Sequence, residues 1–168
     1  MRREKDGFFR SHPQSPLSPA QQAQFDGLTY FDFNPALDLT ITVERFADDD
    51  WITVETTTDD LRRYRRYGRF SFDVDGQTAQ LTIYETPHGF FLPFVDAGAN
   101  RDTYGAGRYI DLEPLDENTF HVDFNGAYNP FCVYSPAYSC PLTPFENRLS
   151  VAIRAGEKIP TGDWVNIP

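Results

Sequence analysis

Two short strand-like runs carry an arginine, a carboxylate and an amide that could meet in one site. Side chains alternate between faces along an extended strand, so Asp123 and Asn125 share one face of their run. A hairpin symmetric about Asp116–Glu117 would place Arg108 opposite Asn125, with Asp123 diagonal to Arg108. A few polar groups among aliphatic side chains are the usual composition of a ligand pocket. The pattern predicts a pocket in this register, because a slip of one residue turns the whole set to the opposite face.

Each residue of this predicted pocket has a chemical role. Arg108 would bind a carboxylate or a phosphate through its guanidinium group. Asp123 and Glu146 are the candidate catalytic residues, because burial of one carboxyl could raise its pKa enough for general acid–base chemistry. The other candidate ligand-binding residues are aromatic or amide side chains: Tyr104, Tyr109, Asn125, Tyr128, Asn129 and Asn147. The alternative is a structural network in which Arg108 pairs with Asp123 and the amides satisfy turn backbone.

The chain has two cysteines, Cys132 and Cys140, in a segment that also contains tyrosine and proline. As a disulfide or redox pair they would close a short loop and stabilise the fold by about 2–3 kcal/mol, although a reducing cytosol disfavours the bridge. Buried packing thiols are the second possibility. A zinc site or a cysteine nucleophile with His121 or His88 is the third, but structural zinc needs four ligands. We therefore predict no metal site.

From Phe25 onward, hydrophobic residues recur at every second position in short runs. These runs lie at 39–43, 52–54, 70–74, 79–83, 90–95, 108–112, 120–125 and 149–154. Asp75-Gly76 separates two of them and is a strong hairpin signal. The pattern predicts an all-β fold, an antiparallel β-barrel or β-sandwich of about eight or nine strands with an N-terminal helical arm.

Residues 1–24 differ from the rest of the chain. Ser18 followed by Pro19 is typical of a helix start, and Phe8-Phe9 would pack this segment onto the domain. We predict a helical arm over 1–24 and a single β domain over 25–168, because no repeat or linker divides the chain.

The amino-acid composition favours some cellular environments and some classes of binding partner over others. The 168 residues carry a net charge of −10, with 17 Asp, 13 Arg and only 2 Lys. Dense carboxylates keep a surface hydrated where abundant counter-ions screen their repulsion, so a salt-rich cytosol is favoured over a chance acidic composition. The negative net charge argues against nucleic-acid binding. The absence of a long apolar run argues against a membrane partner.

One local segment departs from the acidic balance. Five arginines and two tyrosines lie within 62–69. Arginine interleaved with tyrosine can bind an acidic partner. The alternative, which we favour, is a solvated segment that balances the aspartates at 48–50 and 59–60.

Ordered motifs carry a family resemblance. They are Asp-Thr-Tyr-Gly-Ala-Gly-Arg-Tyr at 102–109, Asp-Phe-Asn-Gly-Ala-Tyr-Asn-Pro-Phe-Cys at 123–132, Ser-Cys-Pro-Leu at 139–142, Glu-Asn-Arg-Leu at 146–149 and Ala-Gly-Glu-Lys at 155–158. With the opening residues 5–9, 15–17 and 25–31, they resemble the prokaryotic domain-of-unknown-function family 1684. That resemblance implies no activity. Ala97-Gly98-Ala99 stands where the family tends to have a Thr-Ser-Gly turn, which loses hydroxyl groups there.

Three functions follow from these patterns. The first is binding of a small polar or anionic ligand in a pocket formed by the motifs at 104–147, in a cytoplasmic protein without a cofactor. The second is a hydrolase that uses Asp123 or Glu146, with Arg108 as the anion anchor. The third is a structural or interaction protein that uses the 62–69 segment. The oligomeric state is left open.

Overall fold

A computed structural model describes residues 1–167, in which two helices precede eight strands. The helices are α1 (Arg2–Ser11) and α2 (Pro19–Gln24). The strands are β1 (Asp38–Thr42), β2 (Glu44–Arg45), β3 (Trp51–Glu55), β4 (Leu61–Val74), β5 (Gln77–Thr86), β6 (Gly89–Phe94), β7 (Arg108–Pro114) and β8 (Thr119–Asp123). Single turns of 3₁₀ helix lie at Pro35–Leu37, Phe124–Gly126, Phe131–Val133 and Phe145–Asn147.

The strands form one antiparallel sheet that curves into a nearly closed barrel. Their order is β1-β8-β7-β6-β5-β4-β2, and β3 pairs with the first half of β4. The interior is filled by alternate side chains of the strands, such as Phe70, Leu81, Leu92, Ile110 and Phe120. The predicted all-β barrel with a helical N-terminus is therefore confirmed.

Local sequence accounts for the longest hairpin. Val74 pairs with Gln77, so Asp75 and Gly76 form a two-residue turn, and both have positive φ (51° and 77°). Asp-Gly is favoured there because glycine and aspartate tolerate this backbone region. The hairpin signal read from the sequence is thus confirmed.

A glycine lets β4 change partners along its length. The pairing of β4 with β5 slips between Arg66 and Gly68. A Cβ at Gly68 would lie 2.9 Å from the backbone oxygen of Glu44, so only glycine admits this close approach. Beyond this bulge β4 pairs with β2, and before it β4 pairs with β3.

The N-terminal helices pack on the C-terminal half of the chain. Ser18 caps α2 in a reciprocal capping box with Gln21. Phe9 of α1 makes edge-to-face contacts with Phe131 and Tyr134, at centroid distances of 5.9 and 5.1 Å. A small second core, which also includes Leu17, Phe25 and Trp164, joins the two regions.

The predicted strand at 149–154 does not form. Val151 and Ile153 are buried, as their alternation indicates, but the backbone of this segment does not pair with a neighbouring strand over that range. Instead, the Ile153 amide donates to Asp96, and the Ile153 carbonyl accepts from Arg108. Leu149 and Val151 still bond to the backbone of Val95 and Ala97, but side chains take over at Ile153, so the predicted strand does not form.

The hairpin between β7 and β8 has a register one residue away from the predicted one. Glu113 lies opposite His121, whereas symmetry about Asp116–Glu117 would have put Glu113 opposite Phe120. The connection is irregular, because the amides of Leu115 and Asp116 both donate to the carbonyl of Thr119. The predicted register is therefore wrong by one residue, and this changes which side chains of β8 share a face with Arg108.

Candidate functional site

Arg108 lies inside the barrel and not in a pocket. Its side chain is 1% exposed, and its guanidinium donates to the backbone carbonyls of Ile153, Ala155 and Glu157. The Asp96 carboxylate lies 3.9 Å away. Burial lowers the pKa of Arg108 to about 10 against the opposing effect of Asp96, so the side chain stays charged at neutral pH. The one-residue difference in register puts Arg108 on the core face with Val122, away from Asp123 and Asn125.

The opposite face of β7 lines a groove. Tyr109 and Asp111 alternate with buried Arg108 and Ile110, and Asp111 pairs with Phe91 of β6. The groove has a volume of about 550 Å³. We call it the tyrosine groove, defined by Tyr64, Phe91, Tyr109, Asp111, Tyr128 and Pro141.

Edge-to-face aromatic contacts hold its wall. The ring centroids of Tyr64 and Phe91 lie 6.0 Å apart, those of Phe91 and Tyr109 4.7 Å, and those of Tyr109 and Tyr128 5.9 Å. The Tyr109 hydroxyl donates to the carbonyl of Pro141, which ties the wall to the loop that follows β8. These packed rings make a preformed apolar surface.

The titratable groups of the groove include two carboxylates and one histidine. The Tyr128 hydroxyl donates to Oδ2 of Asp111 over 2.9 Å, and both side chains remain accessible to solvent. Glu113 and His88 lie at its rim. No arginine or lysine lines the groove within residues 1–167. Its field therefore favours a neutral polar or a positively charged ligand over an anion.

Two further depressions adjoin the tyrosine groove at Tyr128. One, of about 360 Å³, contains Asp123 and His121. The other, of about 540 Å³, contains Asp123 and Asn125 with Tyr30 and Phe33. Asp123 accepts from the amide of Asn125, and the Asn125 side chain holds the backbone of Asn34. Both predicted residues therefore line accessible surface while they also fix a turn.

Glu146 belongs to a separate ion-pair network. Its carboxylate accepts from the Arg66 guanidinium at 2.8 and 3.0 Å and from the Tyr84 hydroxyl at 2.5 Å. Burial alone would raise the pKa of Glu146, but the hydrogen bonds from Arg66 and Tyr84 lower it overall. A carboxylate held ionised in this way is not a general acid at neutral pH. The structure does not bring Glu146, Asp123 and Arg108 together.

Two other predicted residues bond to the backbone, and a third lies beside a cysteine. The Asn147 side chain bonds both the amide and the carbonyl of Thr82 and is fully buried. Asn129 donates to the carbonyl of Lys158. Tyr104 lies beside Cys132, and burial is the main reason that its pKa is raised. Of the predicted ligand-binding residues, Tyr109 and Tyr128 line the tyrosine groove.

Cys132 and Cys140 are free thiols. The interaction between their side chains raises the pKa of Cys132 and lowers that of Cys140. Cys140 is buried and Cys132 is partly exposed. The amide of Cys140 donates to the Thr57 hydroxyl, so the turn between β3 and β4 fixes this loop.

The arginines of 62–69 are mostly paired. Arg65 pairs with Glu85, Arg66 with Asp50 and Glu146, and Arg62 and Arg69 lie 3.7 Å from Asp60 and Glu44. Within residues 1–167, Arg63 is the arginine of this segment without an ion pair, and it lies over Trp51. This arrangement agrees with a segment that balances neighbouring carboxylates.

Sequence reasoning missed Tyr64, Phe91 and Asp111. The signal was present, because Tyr109 and Asp111 lie two residues apart and must share a face of β7.

Within residues 1–167, no group of three or more His, Cys, Asp and Glu side chains is arranged to hold a metal ion. In the same part of the chain, no helix is both long and apolar enough to cross a membrane.

Comparisons with known proteins identify the family but no activity. No curated protein matches the chain. The solution NMR structure of the uncharacterized protein from gene locus rrnAC0354 of Haloarcula marismortui is similar, with 40% identity and a TM-score of 0.70 over 94% of this chain and 89% of that one. The model of a family described as protein of unknown function (DUF1684) matches residues 23–158. The chain thus belongs to the DUF1684 family of proteins of unknown function.

Proposed function

We propose that the protein binds a small polar molecule in the tyrosine groove. The observation that carries this proposal is a preformed groove of about 550 Å³, walled by packed aromatic rings and bearing two accessible carboxylates, Asp111 and Glu113. Ligand pockets combine such an apolar wall with a few placed polar groups. Tyr109 and Tyr128, both in the motifs at 104–147, belong to this wall.

An anionic ligand is less well supported than a neutral or cationic one. The expectation of an anion depended on Arg108, which is buried and bonded to backbone carbonyls. Hydrolysis is likewise unsupported, because Glu146 is paired with Arg66 and Asp123 caps a turn. A role for the 62–69 segment in binding an acidic partner is weakened by the ion pairs of its arginines.

We also propose that the protein works in a salt-rich cytosol. The net charge of −10 with 17 Asp and 2 Lys supports this setting. The similar solved protein comes from Haloarcula marismortui.

Saturation-transfer NMR with mixtures of polar metabolites tests the binding proposal. We expect compounds to receive saturation from the wild type and from Phe145→Ala, which truncates an aromatic side chain that is 86% exposed and does not line the groove. Tyr128→Ala removes part of the wall and should abolish the transfer. Equal transfer to Tyr128→Ala, or no transfer from the wild type, would contradict the proposal.

A further inference from the structure

We infer that the ligand of the tyrosine groove is a small organic cation, an amine or a quaternary ammonium compound with an apolar part. This inference rests on the proposed function and assigns the chemical class of its ligand. Two properties of the groove support it. The first is its aromatic wall, and the second is the pair of carboxylates, Asp111 and Glu113, that line it.

The first property is an aromatic wall in which, among the described residues, three rings have no arginine or lysine over their faces, although Arg62 interacts with the Tyr64 side chain. Arginine or lysine side chains lie over many rings of this chain, including Tyr67 at 3.8 Å and Tyr30 at 3.9 Å. Within residues 1–167, none lies over Tyr64, Phe91 or Tyr109. A cation close to an aromatic face is attracted by the ring quadrupole. The groove rings therefore offer this attraction to a molecule from outside.

The fourth ring, Tyr128, has a lysine nearby that is engaged elsewhere. Lys5 Nζ lies 5.2 Å from the Tyr128 centroid, but its amine is paired with the buried carboxylate of Glu157. Lys5 lines the depression beside Tyr30 and not the tyrosine groove. The Lys5 ammonium is therefore neutralised by Glu157 and does not line the groove.

The second property is a lining in which carboxylates outnumber basic groups, since His88 is the one basic side chain there within residues 1–167. Asp111 and Glu113 line the groove, and the neighbouring depression adds Asp123. Oδ2 of Asp111 accepts from Tyr128, and within residues 1–167 Oδ1 has no hydrogen-bond donor. Oδ1 can thus pair with a ligand ammonium while the rings cover its alkyl groups.

Three probes of nearly the same shape and different charge test the inference. They are choline (positive), 3,3-dimethylbutan-1-ol (neutral) and 3,3-dimethylbutanoate (negative), titrated at constant KCl concentration into ¹⁵N-labelled protein. We expect choline to shift the amide signals of Gly89, Leu112 and Tyr128 with a dissociation constant in the millimolar range. The neutral probe should bind at least about fivefold more weakly, and the anion more weakly still.

Variants then locate the interaction. Asp111→Asn should weaken choline binding about fivefold, whereas the same change at exposed Asp49 alters the net charge equally and should leave the affinity unchanged. Tyr128→Leu should weaken binding about fivefold, and Tyr128→Phe, which keeps the ring, should bind within about twofold of the wild type.

The outcomes separate this inference from the proposed function. Equal or tighter binding of the neutral or anionic probe at the same signals would overturn the cation inference and leave a polar-ligand groove. Choline binding that is insensitive to Asp111→Asn and Tyr128→Leu would also overturn it. The absence of shifts with all three probes would overturn the cation inference, and the metabolite mixtures would then decide the proposed function independently.

Discussion

The Arg108 side chain supplies hydrogen bonds that a neighbouring strand would otherwise give to the backbone. Its guanidinium bonds three carbonyls of the segment at 153–157, within reach of the buried Asp96. Removing one member of such a buried network leaves the remaining charges and carbonyls without partners, which is strongly destabilising.

We therefore expect Arg108→Met to lower the free energy of unfolding by at least about 3 kcal/mol, measured by urea denaturation. Arg154→Met is the matched control, because Arg154 is 63% exposed and pairs with Asp102 at 3.6 Å on the surface. Its loss should cost less than about 1 kcal/mol. Equal effects of the two substitutions would refute the structural role of Arg108.

The cysteine pair gives a second prediction at the residue scale. Because the two thiols interact with each other, we expect hydrogen peroxide to join them in a disulfide. The sulfur of Cys140 would attack the peroxide and release water to form a sulfenic acid, and the sulfur of Cys132 would then displace a second water and form the disulfide. The product should be lighter than the reduced protein by about 2 Da, with both cysteines protected from alkylation.

Cys132→Ser is the control for this reaction, because it keeps Cys140 but removes the resolving thiol. It should gain oxygen without forming an intramolecular bridge. Wild-type protein in which both cysteines remain open to alkylation after peroxide treatment would show that the thiols are packing groups only.

At the scale of elements, Glu146 ties the 3₁₀ turn at Phe145–Asn147 to β4 and β5. The hydrogen bonds from Arg66 and Tyr84 lower the pKa of Glu146 below its ordinary value of 4.5. A carboxyl whose pKa is lowered by folding stabilises the fold above its ordinary pKa and loses that contribution as the pH falls toward the folded value.

Glu146→Gln should therefore destabilise the protein by about 1 kcal/mol at neutral pH, and the difference from the wild type should shrink as the pH falls below 4.5. Urea denaturation across that pH range measures both quantities. Glu117→Gln, at an exposed position, should show no such pH dependence. A constant difference between wild type and Glu146→Gln at all pH values would be inconsistent with the lowered pKa.

The elements also show what a single sequence can and cannot predict. The β4–β5 hairpin and the cap of α2 are local, because Asp75-Gly76 and Ser18-Pro19 carry their own conformational preferences. The segment at 149–154 has the periodicity of a strand, but the hydrogen-bond partners of Ile153 are the distant side chains of Asp96 and Arg108. The β7–β8 register depended on one residue in the connecting loop, and that residue decided which face of β7 Arg108 occupies.

At the scale of the whole molecule, the charge is the dominant feature. A net charge of −10 repels itself in the folded state, and dissolved salt screens that repulsion. We expect the melting temperature to rise by roughly 5–10 °C between about 0.1 M and about 2 M KCl. Sucrose at matched osmolality is the nonionic control and should give a smaller rise. A melting temperature that is unchanged or lower in KCl would argue against adaptation to a salt-rich cytosol.

The division into a helical arm over 1–24 and a β domain over 25–168 stays a prediction, and Pro168 lies outside the described residues. The shared core of Phe9, Tyr134 and Trp164 couples the two regions. The all-β class followed from hydrophobic alternation, which left barrel and sandwich open. The tyrosine groove could not be predicted in this way, because it arises where β4, β6, β7 and the loop after β8 meet.

The most direct test of the groove as a binding site is the set of intermolecular nuclear Overhauser effects between choline methyl protons and the protein. We expect contacts with the ring protons of Tyr128, Tyr109 and Phe91. Contacts with Tyr30 and Phe33 instead, which line the neighbouring depression, would contradict the assignment of the ligand to the tyrosine groove.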